Sequence, residues 1–354
     1  MRPRHFGLQV YDRDKATPGF TLYSPLWRPN AYLLDMEGRV VHEWKLAGNP
    51  GGYARLLPNG NLIAATTTEG GPPFKGGAKG GLIQEMDWDG NIVWQYRDDW
   101  QHHDFRKLDN GNLLYAAWEP MPEGTAARVK GGIPGSEGPD GMFGDLLREV
   151  TPDGETVWEW HIHSDMEIEK YPNNPLCTRR VFAWMNTCSE ISNGDILISL
   201  RQINLVAAID RKTKKFNWEM RNDDWGLQHD IRELPNGNMM LFANGMHAPA
   251  MHAHSFVSEF KRDGEIVWEY RDNPPNFFYS HHISGAERLA SGNTLICEGS
   301  FGRIFEVTPD KEIVWEFVNP HFDDMFGGLN TNWVFRAFRY SEDSPEIARR
   351  VKLR

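Results

Sequence analysis

Six short segments of the chain alternate apolar and polar residues around a two-residue turn signal and carry a tryptophan on the second limb. They read DMEGRVVHEW, DWDGNIVWQY, TPDGETVWEW, DRKTKKFNWEM, KRDGEIVWEY and TPDKEIVWEF, and they place Trp44, Trp94, Trp158, Trp218, Trp268 and Trp315 at one register. A period of two marks a strand with one buried face. Asp-Gly between two such limbs predicts a β-hairpin closed by a tight primed turn, whose positive φ angles these residues tolerate. A second hairpin lies between successive tryptophans, turning at Asn59-Gly60-Asn61, Asn110-Gly111-Asn112, Asn193-Gly194-Asp195, Asn236-Gly237-Asn238 and, less regularly, Ser291-Gly292-Asn293. Four short strands recurring every few dozen residues predict a β-propeller, in which each sheet buries its faces against its neighbours. The expected fold is therefore all-β, a six-bladed propeller with four-stranded blades, in one domain over residues 1–354.

The two ends of the pattern are incomplete in complementary ways. The last repeat, GGLNTNWVFRAFRY, is followed by no hairpin, and the first, AYLLDMEGRVVHEW, is preceded by no inner strands. The termini are expected to share blade six, about residues 31–46 and 329–340, which protects the sheet edges. The Gly- and Pro-rich stretches 68–82 and 119–143 read as loops over one face, of a length that marks functional or disordered segments.

Register also selects a candidate site. Counting back seven residues from each Asn-Gly-type turn gives Gly52, His103, Asn186, His229 and Ser284. These should converge at one mouth of a central channel. His102, Gln228, His281 and His282 lie beside them, and Arg201 ends the strand ILISL in blade three. An arginine there suits an anion, because its planar fork matches carboxylate, sulfate or phosphate oxygens. A single propeller histidine commonly serves the framework alone, and His5, His42, His161, His163 and His321 read as structural or exposed; the Asn-Gly turns and tryptophans read as architecture. His247, His252 and His254 form a polar crossover or a metal-capable loop.

Composition removes several classes. With 354 residues, 40% hydrophobic and 25% charged, the chain can bury a sizeable core. A net charge of −11 disfavours nucleic acid and anionic membranes as partners. No apolar stretch approaches a membrane span, and the first twenty residues lack the core of a signal peptide, so a cytoplasmic location is expected, or a periplasmic one had a signal been removed. Three cysteines, Cys177, Cys188 and Cys297, show no metal-ligand spacing and suit a reducing compartment. Oligomeric state is not readable.

Over nearly its whole length, from AYLLDMEGRVVHEW to SGNTLICEGSFGRIFEVTPDKEIVWEF, the chain resembles the bacterial arylsulfotransferase family. The resemblance implies transfer of a sulfuryl group between phenolic small molecules through a sulfated histidine, without a cofactor. It maps the nucleophile, found in a Gln-His motif ahead of a strand ending like LFANG, onto Gln228-His229. It maps a second histidine onto His103, a channel asparagine onto Asn186, an arginine onto Arg201 and a hydroxyl onto Ser284. His103 and His282 are then general acids or bases, Arg201 and Asn186 hold sulfuryl oxygens, and Gln228, His102, Trp184, His281 and Ser284 bind substrate. The family usually has a histidine two residues before that asparagine; here stands Trp184. The signal, extra β-domain and disulfide of exported members are not visible. Two other readings use the same residues: a lyase or hydrolase with a divalent transition metal held by His103, His229, His282 and His254, or a non-catalytic binding propeller.

Overall fold

A computed structural model of the chain describes residues 5–74, 77–324, 327–348 and 350–352. Six of its sheets are the four-stranded antiparallel blades of a β-propeller, as the repeats predict, one of them extended by a fifth strand. Two compact units hold three blades each: residues 1–69, 80–97 and 282–354 in one, 70–79 and 98–281 in the other.

In the first unit, blade one runs through Pro50–Leu56, Leu62–Thr67, Gly81–Met86 and Ile92–Arg97, and blade five through Gly285–Arg288, Thr294–Glu298, Arg303–Val307 and Ile313–Val318. Blade six is the shared one. Its C-terminal strand Val334–Tyr340 pairs with Phe20–Pro25, followed by Asn30–Leu34 and Val40–Lys45. The strand Phe20–Pro25, FTLYSP, lies outside the span expected from sequence because it is buried along its whole length and so lacks alternation. Gly7–Tyr11 adds a fifth, outer strand to blade five.

In the second unit, blade two comprises Gln101–Lys107, Leu113–Pro120, Phe143–Val150 and Thr156–His161. Blade three comprises Met185–Glu190, Ile196–Leu200, Leu205–Ile209 and Phe216–Arg221, and blade four His229–Glu233, Met239–Ala243, Phe256–Phe260 and Ile266–Tyr270. The stretch 119–143 carries a short helix, Glu123–Ala126, and a strand, Gly131–Ile133, that pairs in parallel with Asn173–Thr178. Two positions of the stretch 68–82, residues 75 and 76, lie outside the described residues. Among the described residues no helix is long and apolar enough to cross a membrane.

Two side-chain contacts repeat with the blades. The indole N–H groups of Trp44, Trp158, Trp218 and Trp315 donate to the backbone carbonyls of Asp87, Arg211, Arg262 and Met36, each on the turn of the next blade's outer hairpin, at 2.8–3.2 Å. The tryptophan register therefore staples blade to blade as well as filling the core. The second contact lies at the Asn-Gly-Asn turns. There the last asparagine donates to a buried glutamate on the third strand, Asn61 to Glu85, Asn112 to Glu149, Asn238 to Glu259 and Asn293 to Glu306, at 2.6–2.8 Å. Charge-assisted bonds of this kind contribute about 1.5–3 kcal/mol each.

The turns themselves differ from expectation. Gly60 N donates to Leu57 O and Leu57 N to Asn61 O, and of the loop residues only Gly60 is left-handed, at φ 81°. Gly38 and Gly90 repeat the pattern in the tryptophan hairpins. These are three-residue loops, a type I turn followed by a left-handed glycine, and not two-residue primed turns. The glycine bulge adds twist that the blades need. In TPDKEIVWEF the left-handed position falls on the exposed Lys311, at φ 72°. Such a conformation costs an L-residue about 1–2 kcal/mol, against about 0.5–1 kcal/mol for glycine's extra freedom in the unfolded chain. Lys311→Gly is therefore expected to stabilise the protein by about 0.5–1 kcal/mol in urea denaturation at an unchanged m-value; a loss of stability would contradict the strain at this turn.

Candidate functional site

The register seven residues before each inner turn coincides with broken strand pairing. Pairing skips between Phe105 and His102, around Asn186, and between His229 and Arg232. His103, Asp230 and Ser284 are left-handed, at φ 53°, 55° and 88°. Bulges re-aim a side chain away from the alternating pleat, and non-glycine residues keep such angles only where surrounding contacts enforce them. Asp104 and Asp230 supply that enforcement. Asp104 accepts from Arg106 Nη1 at 2.7 Å and Cys188 N at 2.9 Å, and Asp230 accepts from Arg232 Nε and Nη2 while its own N–H donates to Thr187 Oγ1.

His229 opens the first strand of blade four and is buried. Its Nδ1 lies 2.7 Å from Asn244 Oδ1. The Asn244 amide is oriented by its other end, since Nδ2 donates to Ser280 O at 2.7 Å, and Ser255 Oγ holds the Asn244 carbonyl at 2.9 Å. Asn244 must therefore offer its oxygen, so Nδ1 of His229 carries the proton and Nε2 carries the lone pair of the neutral ring. Gln228, next in chain, is locked by donation from Nε2 to Ser199 Oγ and Leu205 O at 3.1 and 3.0 Å, and its backbone carbonyl accepts from Asn186 Nδ2 at 2.7 Å. Asn186 Oδ1 in turn accepts from Thr187 Oγ1. Blades three and four thus meet at Asn186, Gln228 and His229.

A second chain of polar contacts runs through His103. The Trp184 indole, a donor only, gives its N–H to His103 Nε2 at 3.1 Å. His103 Nδ1 therefore holds the ring proton and points it at His102 Nδ1, 2.9 Å away. His102 stacks on Trp118 and brings its Nε2 to 3.3 Å from Asp145 Oδ1, a close approach short of an aligned hydrogen bond. Burial pushes the Asp145 carboxyl above its usual range, with His102 opposing the shift. Trp184 and its neighbour Ala183 are both left-handed, at φ 58° and 67°, and their carbonyls accept from the backbones of Arg201 and Gln202. Trp184 thereby ties His103 to the arginine's turn.

Arg201 begins a short 3-10 turn after the strand Ile196–Leu200. Among the described residues it has no carboxylate partner; its Nη2 reaches only Met246 Sδ, at 3.8 Å. Although part of its surface is accessible, the packing around it displaces enough water to lower its pKa. Its charge is felt by Cys177, His247 and His281. Burial raises the Cys177 thiol against the pull of Arg201, while burial and Arg201 together hold both histidines below the usual imidazole value. A desolvated cation flanked by neutral imidazoles and lacking a counter-charge is suited to an anionic ligand.

The remaining sequence candidates have partners of their own. His282 and Ser284 belong to the other unit. There His282 Nδ1 pairs with Ser300 Oγ at 3.0 Å, and Ser284 Oγ accepts from Gly299 N at 3.0 Å. His254 pairs with Arg271. Sequence reading overlooked Asn244, although a matching signal exists. Counting forward eight residues from the same turns gives Thr67, Trp118, Arg201, Asn244 and Gly299. Trp118, Asn244 and Gly299 touch the residue seven before the turn or its neighbour in blades two, four and five.

Residues 54–320 match the model of the family described as arylsulfotransferase (ASST). No curated protein matches the sequence. Among solved structures, a protein of unknown function from Bacteroides caccae superposes with a TM-score of 0.58 at 13% identity, covering 91% of this chain and 98% of that one. A streptogramin B lyase superposes at 0.50 and 13% identity, covering 95% and 93%. These two likenesses show the fold.

The hydrogen-bond chain fixes an outcome for His229 alone. Long-range nitrogen–proton NMR spectra should show its neutral ring protonated at Nδ1, and Asn244→Asp should raise its pKa by about one unit or more, because a carboxylate favours the imidazolium. A neutral ring protonated at Nε2 would contradict the orientation assigned to Asn244.

Proposed function

The chain belongs to the arylsulfotransferase family, and on that premise we propose that it moves a sulfuryl group from an aryl sulfate to an acceptor phenol through a sulfated His229. The observation that carries the assignment is the 2.7 Å contact of His229 Nδ1 with Asn244 Oδ1, which leaves the nucleophilic lone pair on Nε2. In the first half-reaction Nε2 attacks sulfur, an N–S bond forms, the S–O bond to the aryl group breaks and the phenolate departs. The ring then carries a positive charge, shared with the Nδ1–H that faces a neutral amide. A neutral acceptor stabilises that charge less than a carboxylate would, so the sulfated ring remains a good leaving group. In the second half-reaction the acceptor oxygen attacks sulfur, the N–S bond breaks and His229 returns to its neutral tautomer.

Arg201 supplies the positive charge for the sulfuryl oxygens, and its lack of a carboxylate partner among the described residues leaves it available for them. The acceptor phenol must lose a proton, and His281, kept neutral by burial and by Arg201, is suited to take it. His103 is held by Trp184 and His102, so its part is to fix the indole that stands where the family's histidine usually does. Trp184, part exposed within a cluster of Phe74, Trp118, Phe143 and Val181, offers an aromatic face to a phenolic ring.

Incubation with a nitrophenyl sulfate should release nitrophenolate and leave the mass of one sulfuryl group on the peptide GLQHDIRELPNGN, and His229→Ala should abolish both. Arg201→Ala should retain the fold and lose on the order of a hundredfold or more in turnover, as when one preorganised donor to a developing anion is removed. Turnover without an adduct on His229, lost on chelation and restored by a divalent ion, would sink the reading in favour of metal chemistry.

A further inference from the structure

One group of metal-ligating side chains includes none of the residues assigned to the proposed reaction. Glu119 near the end of the strand Leu113–Pro120, His161 at the end of Thr156–His161 and His163 in the following turn bring three ligand atoms within 4.8 Å of one another. His161 Nδ1 is 2.9 Å from Glu119 Oε2, and His163 Nε2 is 3.4 Å from Glu119 Oε1. We propose that Glu119, His161 and His163 form a binding site for a Zn2+-class divalent cation with one coordination position open to water or an outside ligand.

The local sequence explains the convergence. Ile162, fully buried, anchors the segment in the core beside Leu147 and Trp160, so the flanking histidines emerge together on the solvent side. His161 N donates to Asp165 Oδ2 at 2.9 Å, which fixes the turn that brings His163 back toward Glu119. A tetrahedral cation with bonds of about 2.0–2.1 Å needs donor atoms about 3.4 Å apart, and Glu119 Oε1 lies 3.1 Å from His161 Nδ1 and 3.4 Å from His163 Nε2, so a small opening of the first pair would admit the ion. One imidazole would satisfy the Glu119 carboxylate as an ion pair, whereas two converge on it from different positions of the chain.

The surroundings point the same way. On the far side of the His161 ring, Nε2 lies 3.5 Å from Glu159 Oε2, and Glu159 is itself held by Arg148 Nε at 2.7 Å. A ligating histidine usually gives its second N–H to such a carboxylate, which fixes the ring and raises its basicity. Glu119, His161 and His163 keep 17%, 28% and 23% of their side-chain surface, enough for an ion to enter and for a water to complete its shell. Two imidazoles and a carboxylate suit zinc and its neighbours in the first transition row, and do not suit Mg2+ or Ca2+, which prefer oxygen donors alone. Because Glu119 and His161 end strands on either side of Phe143–Val150, a bound ion would tie together the ends of three strands at the base of the loop that follows Glu119.

The test is Zn2+ titration by calorimetry on the whole protein freed of metal, with Co2+ as a spectroscopic probe. Expected are one equivalent bound, a visible Co2+ spectrum of a four- or five-coordinate site, and a melting temperature that rises with Zn2+, since an ion binding only the folded state stabilises it by mass action. Glu159→Gln should weaken binding about 10–100-fold through the ring it orients, while His161→Ala combined with His163→Ala should abolish the stoichiometric equivalent and leave the metal-free melting temperature close to that of the parent. Stoichiometric binding that persists in the double variant, or no equivalent of Zn2+ bound by the parent, overturns the assignment.

Discussion

A buried carboxylate holding the side chain of a hairpin turn fixes the register on which the candidate site depends. In blades one, two, four and five the third strand sets a glutamate, Glu85, Glu149, Glu259 or Glu306, where it accepts from the asparagine that closes the first hairpin. A slip of one residue would turn every side chain of those strands to the opposite face and leave the glutamate buried without its partner, so the alternatives are costly. Blade three departs locally. Asp195 replaces the asparagine and accepts from Asn193 and Asn217 at 2.6 Å each, which keeps the turn satisfied by a different set of amides. With the turns fixed, the positions seven before and eight after each of them occupy the open end of the hairpin.

At that open end the regular ladder gives way, and the backbone is held in conformations that side-chain hydrogen bonds must maintain. Asp104 and Asp230 are buried carboxylates that bind an arginine two residues on and lock to blade three, one through Cys188 N and the other through its own N–H to Thr187. This framework carries the charges, and the histidines beside it are left as tautomers of defined direction. His229 faces an amide oxygen, His103 faces an indole and another imidazole. Arg201, by contrast, is a desolvated cation with no carboxylate among the described residues to balance it. Leaving such a charge unpaired is expensive, which suits the position to an anionic ligand.

Trp184 links the two halves of this arrangement. Its indole closes the chain that runs through His103 and His102 to Asp145, while its backbone carbonyl holds the turn of Arg201. Trp184 thus sets an aromatic surface between His103 and the turn of Arg201.

The sequence by itself determined the blades, their number and the sharing of the sixth between the two ends, because alternation and turn residues are local signals that a propeller repeats six times. It also determined which residues share a register, and so drew attention to His103, Asn186 and His229. The strand Phe20–Pro25 escaped it because full burial erases alternation, and the turn type did because Asp-Gly and Asn-Gly serve both kinds of loop. Only the tertiary structure decided what each polar group faces. That Asn244 orients His229, that Trp184 caps His103, that Arg201 has no acid to balance it among the described residues, and that Glu119 meets His161 and His163 all depend on contacts between residues far apart in the chain. Hydrogen bonds and charges act over a few ångströms of space, and the chain order does not encode which side chains the packing of the blades will bring within that reach.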